Sequence, residues 1–465
     1  MERRTAFETD LQASPPEVRI GLSRAGVTGV EKAVQMRYGD VDAVVAATID
    51  CFVDLDPAQK GVHMSRHPEL YHWQAELAKR LPHLSTSMIG LLALWSVGMV
   101  LVRSCGLVVV AGQVAKLLGL TFDTARQRLR EFYQEAAAKA GAKRGIKRCD
   151  FDVTECFAPL LTWILSFWSQ RRLALALDVT NLGDRMHVLC VSVLFGGIGL
   201  PVAWKILPGN TAGSWHPHWC DLLQRLKRAV GDDWLVIVLS DRGLESARLF
   251  AAIVECGWHP LMRAKNAGKF RPQGWTKWHD MHAFVPRIGS RFQMRGQAYK
   301  TADTPLACTL LALRGEGYED PWLVLTDLPP YAADPCWYAW RAWIEQGFKV
   351  AKSSGLQWQN TRMDDPQRLE RIWLALAVTT LWMVAIGAEV EQTREIETVD
   401  KIPGDRTQTV MPSRKQRLYH EGCAALRAAI FNGIAWPYGH LPDLQWLDPP
   451  PVDASLTTEE NFSSG

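Results

Sequence analysis

Apolar and polar positions follow two patterns along the chain, and the change between them separates a helical part from a part rich in strands. Between residues 71 and 140 the apolar positions recur at helical spacing, whereas from residue 173 onward short apolar or alternating segments predominate. The second pattern predicts three strands and then helix, strand, helix and strand, at 173–177, 186–195, 200–207, 217–230, 234–240, 245–256 and 258–262. We therefore expect an α/β domain behind a helical region.

This order of elements resembles an RNase H-like core, in which helices flank a mixed five-stranded sheet. Glycines, prolines, aromatic residues and short alternating segments interrupt it over residues 266–327, which are too many for a simple loop. We interpret residues 266–330 as a β-rich insertion with strands at 291–299, 306–313 and 322–326. Helices resume at about Pro335, and a long helix begins at Pro366, directly after a capping aspartate.

Composition narrows the class of protein but does not decide its function. The 465 residues carry a formal net charge of +3, which permits a nucleic-acid partner without indicating one. Ten cysteines without a CxxC pair, and no N-terminal signal pattern, predict a cytoplasmic protein. Two apolar runs, 88–102 and 373–387, are shorter than the roughly 20 residues that cross a bilayer, so we expect buried helices and no membrane partner.

A helix-turn-helix pattern lies within the helical part, at residues 113–130. Ala115 is small, Gly119 suits the turn, and the following helix carries Arg126, Arg128 and Arg130. The pattern indicates a DNA-binding surface, although an ordinary helical hairpin with a solvated basic face would look the same. More basic residues that could meet phosphates follow at Lys143, Arg144, Lys147 and Arg148.

Two aspartates follow predicted strands that an α/β sheet of this order would place side by side, Asp178 and Asp241. Each could simply open a turn, but together they could share a metal ion. A third acid, Glu345, lies on a predicted helix whose polar face also holds Tyr338, Arg341, Lys349 and Lys352, with Trp340, Trp343, Phe348 and Val350 on the other sides.

A second metal-like cluster, formed by His216, His218 and Cys220, offers three zinc-binding side chains within five residues. A structural zinc site needs a fourth ligand and a closed geometry, and the sequence supplies neither. We therefore predict no zinc site there.

The spacing of Tyr338, Arg341, Glu345 and Lys352 resembles the Y-R-E-K signature of bacterial insertion-sequence transposases of the DDE class, including those with a β-rich insertion before the glutamate. Asp178 in Leu-Asp-Val-Thr and Asp241 in Ser-Asp-Arg-Gly are similar to the first and second acidic motifs of that family.

The resemblance implies a role for each matched residue. The three acids would bind two Mg²⁺ ions, for which Mn²⁺ could substitute, while Arg341, Lys352 and Tyr338 would contact DNA near the transposon end. Aromatic residues of the insertion would stack on a flipped base, for which the candidates are Trp275 and Trp278, although either could equally pack the insertion.

The first 67 residues resemble a different family. The segments 20–32 and 53–66 are similar to the N-terminal part of type IB GTP cyclohydrolases, but only that fragment is present. A gene fusion would explain the join, and a chance likeness in a DNA-binding arm is the alternative. We do not expect cyclohydrolase activity, since the pocket would be incomplete.

These features together predict a transposase that binds the terminal inverted repeats of its element as a homodimer in the bacterial nucleoid, cleaves the ends and joins them to target DNA. A transposase-derived DNA-binding protein without activity, or another RNase H-like nuclease, is the alternative. The predicted regions are 1–70 of uncertain fold, 71–150 helical and DNA-binding, 151–265 and 331–392 catalytic, 266–330 inserted, and 393–465 C-terminal with a disordered tail.

Overall fold

A computed structural model describes residues 68–135, 151–213, 215–302, 304–317, 320–399, 416–443 and 446. The interpretations that concern residues 1–67, the basic residues between 143 and 148, and the tail from 449 fall outside these residues.

Four helices open the described part of the chain, as the apolar spacing predicts. Ser85 and Thr121 cap two of them by accepting backbone N–H bonds, and Gly119 ends another at a φ of +63°, a conformation that favours glycine. The helices are α1 (Pro68–Arg80), α2 (Thr86–Val102), α3 (Leu107–Leu118) and α4 (Phe122–Tyr133), and α5 (Phe157–Leu165) precedes the sheet.

Five strands and two helices form the part of the α/β domain that the sequence pattern predicts. Strands β1, β2 and β3 are antiparallel neighbours, while β4 and β5 lie parallel to β1, so this part is a mixed five-stranded sheet that we call the core half. Its elements are β1 (Arg172–Leu182), β2 (Met186–Phe195), β3 (Ile198–Pro208), α6 (His216–Lys227), β4 (Leu235–Ser240), α7 (Ala247–Glu255) and β5 (His259–Arg263).

The predicted end of β1 at Asp178 is wrong, because the strand continues to Leu182. Hydrogen bonding to β2 extends past the aspartate as far as the pair of Leu182 with Met186, which closes the hairpin. The parallel neighbour β4 ends opposite Leu177, so Asp178 is the first β1 residue beyond the end of β4.

The inserted strands extend the same sheet, which differs from the five-stranded sheet of the prediction. Strand β10 pairs antiparallel with β5, and the described residues form one ten-stranded sheet in the order β3-β2-β1-β4-β5-β10-β9-β8-β6-β7. The added strands, which we call the insertion half, are β6 (Lys269–Pro272), β7 (His279–Asp280), β8 (Arg291–Ala298), β9 (Leu306–Leu313) and β10 (Trp322–Thr326).

Two C-terminal helices complete the core, α9 (Pro366–Val399) and α10 (Arg417–Asn432). Residues 366–394 are long and apolar enough to cross a membrane, but 94% of their most apolar window is buried inside the protein. Trp73 of α1 stacks on Trp382 of α9 with ring centroids 3.8 Å apart, and α9 also packs on β3. Both apolar runs are thus buried helices, as predicted, and the helical region shares one hydrophobic core with the C-terminal helices.

Candidate active site

Asp178 and Asp241 meet at one edge of the core half because β1 and β4 are parallel and in register there. Leu177 of β1 pairs with Ser240, the last residue of β4, and an aspartate follows each of the two in the sequence. Asp178 Oδ1 accepts a bond from the Val179 N–H at 2.8 Å, and Asp241 Oδ1 accepts bonds from the N–H groups of Gly243 and Leu244 at 3.0 and 3.2 Å. The backbone fixes one oxygen of each carboxylate, and both Oδ2 atoms face a common space.

Glu345 comes to the same space on a short helix, α8 (Ala342–Lys349). Two glycines set the distance of this helix from β3: a Cβ on Gly347 would stand 2.2 Å from the carbonyl oxygen of Gly199, and a Cβ on Gly199 would stand 2.7 Å from Cα of Ile344. Only glycine permits this approach, so the contact places Glu345 near the strand ends.

The guanidinium of Arg341 lies among the three acids. Its Nη2 donates to Asp178 Oδ2 at 2.9 Å and lies 3.5 Å from Asp241 Oδ2, while Nη1 donates to Glu345 Oε1 at 2.7 Å. Arg341 and Asp178 are 17% and 15% exposed, whereas Asp241 and Glu345 are 38% and 49% exposed. The three predicted acids therefore converge, and they do so around a cation of the chain itself.

Burial and charge act in opposite directions on these groups. Burial raises the pKa of Asp178, as do the charges of Asp241 and Glu345, while Arg341 and the Val179 N–H lower it, and the net shift is upward. Burial opposes the charge of Arg341, but the neighbouring carboxylates outweigh it, and the pKa of the guanidinium is raised.

The predicted single helical face around Glu345 is wrong in its geometry. Residues Pro335–Arg341 form a 3₁₀-helix, α8 follows, and Val350–Ser354 form a π-helical turn with a kink at Lys352. Residues 338–352 therefore do not share a single helical period. The ion pair of Arg341 with Glu345 nevertheless forms.

Tyr338 is buried, and its hydroxyl donates to the Ser240 carbonyl at 3.4 Å. Burial raises its pKa to about 12. The ring supports the end of β4 and presents little surface to DNA. Lys349 is exposed and Lys352 is half-buried, and burial lowers the pKa of Lys352.

The residues predicted on the other sides of this helix differ in burial. Phe348 and Val350 are buried, but Trp340 and Trp343 are half-buried and stack on each other with centroids 5.8 Å apart.

The two tryptophans of the insertion half have different environments. Trp275 is 7% exposed and packs against Phe284 and His279, so it belongs to the core of the insertion half. Trp278 is half-buried, with the Arg271 guanidinium 5.1 Å from its ring centre. A pocket of about 500 Å³ beside them is lined by Arg271, Arg295, Gln273, Gln297, Trp275 and Cys308, among others.

The helix-turn-helix geometry is present in α3 and α4, whose turn spans residues 119–121. All three arginines of α4 are half-buried, and Arg126 lies 3.4 Å from Asp123. The exposed start of α4 consists of residues 121–124. DNA contact by Arg126, Arg128 and Arg130 stays a prediction.

Arg263 is a candidate site residue that the sequence reasoning missed. Met262 of β5 pairs with Ser240, so Arg263 stands beside Asp241 at the same edge, 5.9 Å from the Tyr338 ring centre. The sequence could have indicated Arg263, because it directly follows the predicted strand at 258–262, as Asp241 follows the predicted strand at 234–240.

The three carboxylates could hold divalent cations, because hard oxygen donors suit Mg²⁺ and their free oxygens already surround one positive group. As the side chains stand, they close on Arg341. Across the described ranges, no three His, Cys, Asp or Glu side chains share a ready metal position. His216 and Cys220 approach to 3.6 Å without forming such a group.

Comparison with known families supports the resemblance to a transposase. Residues 192–382 match the family described as Transposase DDE domain. The range contains Asp241, Glu345, Tyr338 and Arg341, and Asp178 lies just before its start. The predicted resemblance to a transposase is confirmed over this range.

Residues 9–93 match type I GTP cyclohydrolase folE2. GTP cyclohydrolase MptA of Methanococcus maripaludis is 45% identical over 62 residues, which are 13% of this chain and 20% of that protein. The same enzyme of Haloarcula marismortui is 47% identical over 70 residues, 15% of this chain and 23% of that protein. The second resemblance is also confirmed and reaches residue 93, although the chain spans only about a fifth of these relatives.

One solved structure, the piggyBac transposase synaptic complex with hairpin DNA, aligns over 90% of this chain and 88% of its own, with a TM-score of 0.35 and 10% identity. A similarity this low supports no conclusion about fold or function.

Proposed function

We propose that the chain is a DNA transposase that uses Asp178, Asp241 and Glu345 to bind two Mg²⁺ or Mn²⁺ ions. The observation that carries the proposal is the convergence of these three acids, from segments far apart in the sequence, on one guanidinium. The match of residues 192–382 to a transposase DDE domain supports it. In this interpretation the core half is an RNase H-like sheet.

The acids would hold the ions at the strand ends, where bound metals stabilise the charge on the attacking and leaving oxygens of a phosphodiester. Other groups of the chain orient the three carboxylates for binding these ions. Backbone N–H groups orient Asp178 and Asp241. The contact of Gly347 with Gly199 sets the distance between β3 and the helix that carries Glu345. Arg263, Lys349 and Lys352 supply positive charge for the phosphates around the scissile bond.

The partner would be double-stranded DNA, namely the terminal inverted repeats and the target, held by a homodimer in the nucleoid. The exposed start of α4 supports insertion of this helix into a major groove. Trp278 is the better stacking candidate for a flipped base, because Trp275 is already packed inside the protein. Cyclohydrolase activity is not part of the proposal.

Loss of a single carboxylate tests the proposal. Asp178→Asn, Asp241→Asn and Glu345→Gln should each reduce metal-dependent cleavage of a cognate end by at least about 1000-fold, since each removes a metal ligand. End binding in Ca²⁺ should stay within about threefold of wild type. The assay measures nicking and strand transfer of a labelled end, with the end sequence taken from the inverted repeats that flank the gene.

Asp232→Asn is the matched control, because Asp232 is exposed on the turn before β4 and lies away from the acids. Full cleavage by any of the three variants would refute the assignment. Cleavage without strand transfer of a pre-cut end would instead identify another RNase H-like nuclease, and end binding without cleavage by wild type would identify an inactive DNA-binding derivative.

A further inference from the structure

Arg341 neutralises part of a dense negative cluster. Three carboxylates lie within 3.5 Å of its two terminal nitrogens, and within the described residues no other basic side chain pairs with these acids. The guanidinium is 17% exposed, so solvent screens the interaction only in part. Its charge lowers the mutual repulsion of the acids where they are held together.

The oxygens that Arg341 occupies are the ones that a divalent cation would need. The backbone already holds Oδ1 of Asp178 and of Asp241, and Arg341 takes Oδ2 of both and Oε1 of Glu345. A cation bound to these atoms would face the guanidinium at contact distance, and like charges in a half-buried site repel strongly.

We propose that Arg341 is a displaceable counter-ion, which pairs with the three acids until metal binds and is then released to hold a DNA phosphate. The inference rests on the proposed function. Because Arg341 precedes α8 at a change of helix type, its side chain can turn away from the acids without movement of Glu345. Its Nε is buried and lacks a hydrogen-bond partner, so the present position leaves one donor unused that a phosphate can take.

The exchange couples metal and DNA. A metal ion frees the guanidinium for a phosphate, and a phosphate draws the guanidinium away from the acids, so each ligand raises the affinity for the other. The acids are charge-compensated in both states.

Binding of Mn²⁺ to the full chain without DNA tests the exchange. Arg341→Gln removes the competitor, so the affinity for Mn²⁺, measured from the EPR signal of the free ion, should rise roughly tenfold or more. Arg341→Lys keeps the charge but cannot bridge the acids with a planar fork, so its affinity should lie between those of Arg341→Gln and wild type. The control is Arg228→Gln, which removes an exposed charge at the C-terminal end of α6 and should change the affinity by less than about threefold.

A second experiment measures the affinity for a DNA end. Ca²⁺ should tighten binding of an end to wild type, and this enhancement should be lost in Arg341→Gln and Arg341→Lys. Arg341→Gln with the affinity of the control, or retention of the enhancement in both variants, would overturn the exchange. If neither wild type nor Arg341→Gln binds Mn²⁺ in a way that Asp178→Asn abolishes, the proposed metal site itself fails. If only the rise is missing, the proposed function stands.

Discussion

The two halves of the sheet share continuous strand pairing but differ in the charged side chains at their candidate binding surfaces. Three acids and one arginine meet at the edge of the core half, where Asp178 and Arg341 are mostly buried and Asp241 and Glu345 are more exposed. The pocket of the insertion half is lined by two arginines and two glutamines, and no acid appears among its described lining residues. Acids suit metal ions, while cations, amides and an aromatic ring suit a nucleic acid.

Under the proposed function, this difference predicts a division of labour, in which the acids at the edge of the core half bind metal and the insertion half contacts DNA. The joint is the pairing of β5 with β10, which places the insertion half beside the strand that ends at Arg263. A DNA strand that follows the sheet would pass from the cations of one half to the acids of the other. Substitutions of Gly347, Trp275 and Trp278 test this comparison, and a fourth, of Glu135, tests how the helical region is attached.

Gly347→Ala should have the largest effect on cleavage, because the new methyl group would stand 2.2 Å from the Gly199 carbonyl oxygen. Helix α8 must move and carry Glu345 away from Asp178 and Asp241. We expect cleavage to fall at least about 100-fold and stability by about 1–3 kcal/mol. End cleavage and the urea midpoint measure the two effects.

Gly112→Ala in α3 is the matched control, because a Cβ there meets nothing within 4 Å and alanine favours a helix. Normal cleavage by a folded Gly347→Ala protein would show that the close contact does not position Glu345.

The two tryptophans separate packing from DNA contact in the insertion half. Trp275→Ala should cost about 3–5 kcal/mol, because it removes a buried ring. Trp278→Ala should leave the unfolding midpoint nearly unchanged and weaken binding of the processed end by about tenfold, the value of one stacked base. Mn²⁺ affinity should be unchanged in Trp278→Ala. Equal unfolding midpoints for the two variants would remove the distinction in burial, and an effect of Trp278→Ala on Mn²⁺ binding would contradict the division of labour.

The smallest effect concerns the attachment of the helical region to the C-terminal helix α9. Arg368 of α9 donates to Glu135 at 2.7 Å, and this bond lowers the pKa of Glu135 to about 2. Since the folded pKa is depressed, the pair stabilises the protein above the ordinary carboxyl pKa, and the contribution is lost as pH falls from about 4.5 toward 2. Glu135→Gln should lower stability at pH 7 by up to about 1 kcal/mol. Urea midpoints at several pH values give the difference from wild type, and a difference that stays constant down to pH 2 would refute the assignment.

Local sequence patterns predicted the elements of the core half. They also predicted the positions of Asp178 and Asp241, because each aspartate follows a predicted strand. Strands of period two and buried apolar runs report burial directly, so β1, β2, β4 and α9 appear near their predicted places. The end of β1 was misplaced because Asp178 reads as a turn residue, whereas its pairing with β2 decides the boundary.

Long-range contacts could not be predicted in the same way. Nothing local specifies that β10 pairs with β5, since register and partner depend on the whole fold. The helical period around Glu345 suggested one continuous face, but the pairing of Arg341 with acids on two distant strands accompanies a change of helix type. The role of Gly347 depends on Gly199, a residue nearly 150 positions earlier in the chain.

If Arg341 is the displaceable counter-ion proposed above, the chain would be able to fold without a metal ion. A site of three carboxylates with no cation would be a point of strain in the newly made protein, and its assembly would wait for an ion from the cell. Arg341 provides the first positive charge from within the polypeptide. Under that proposal, synthesis and activation would be separate events, and the folded chain would stay in a resting form until DNA and divalent ions bind together.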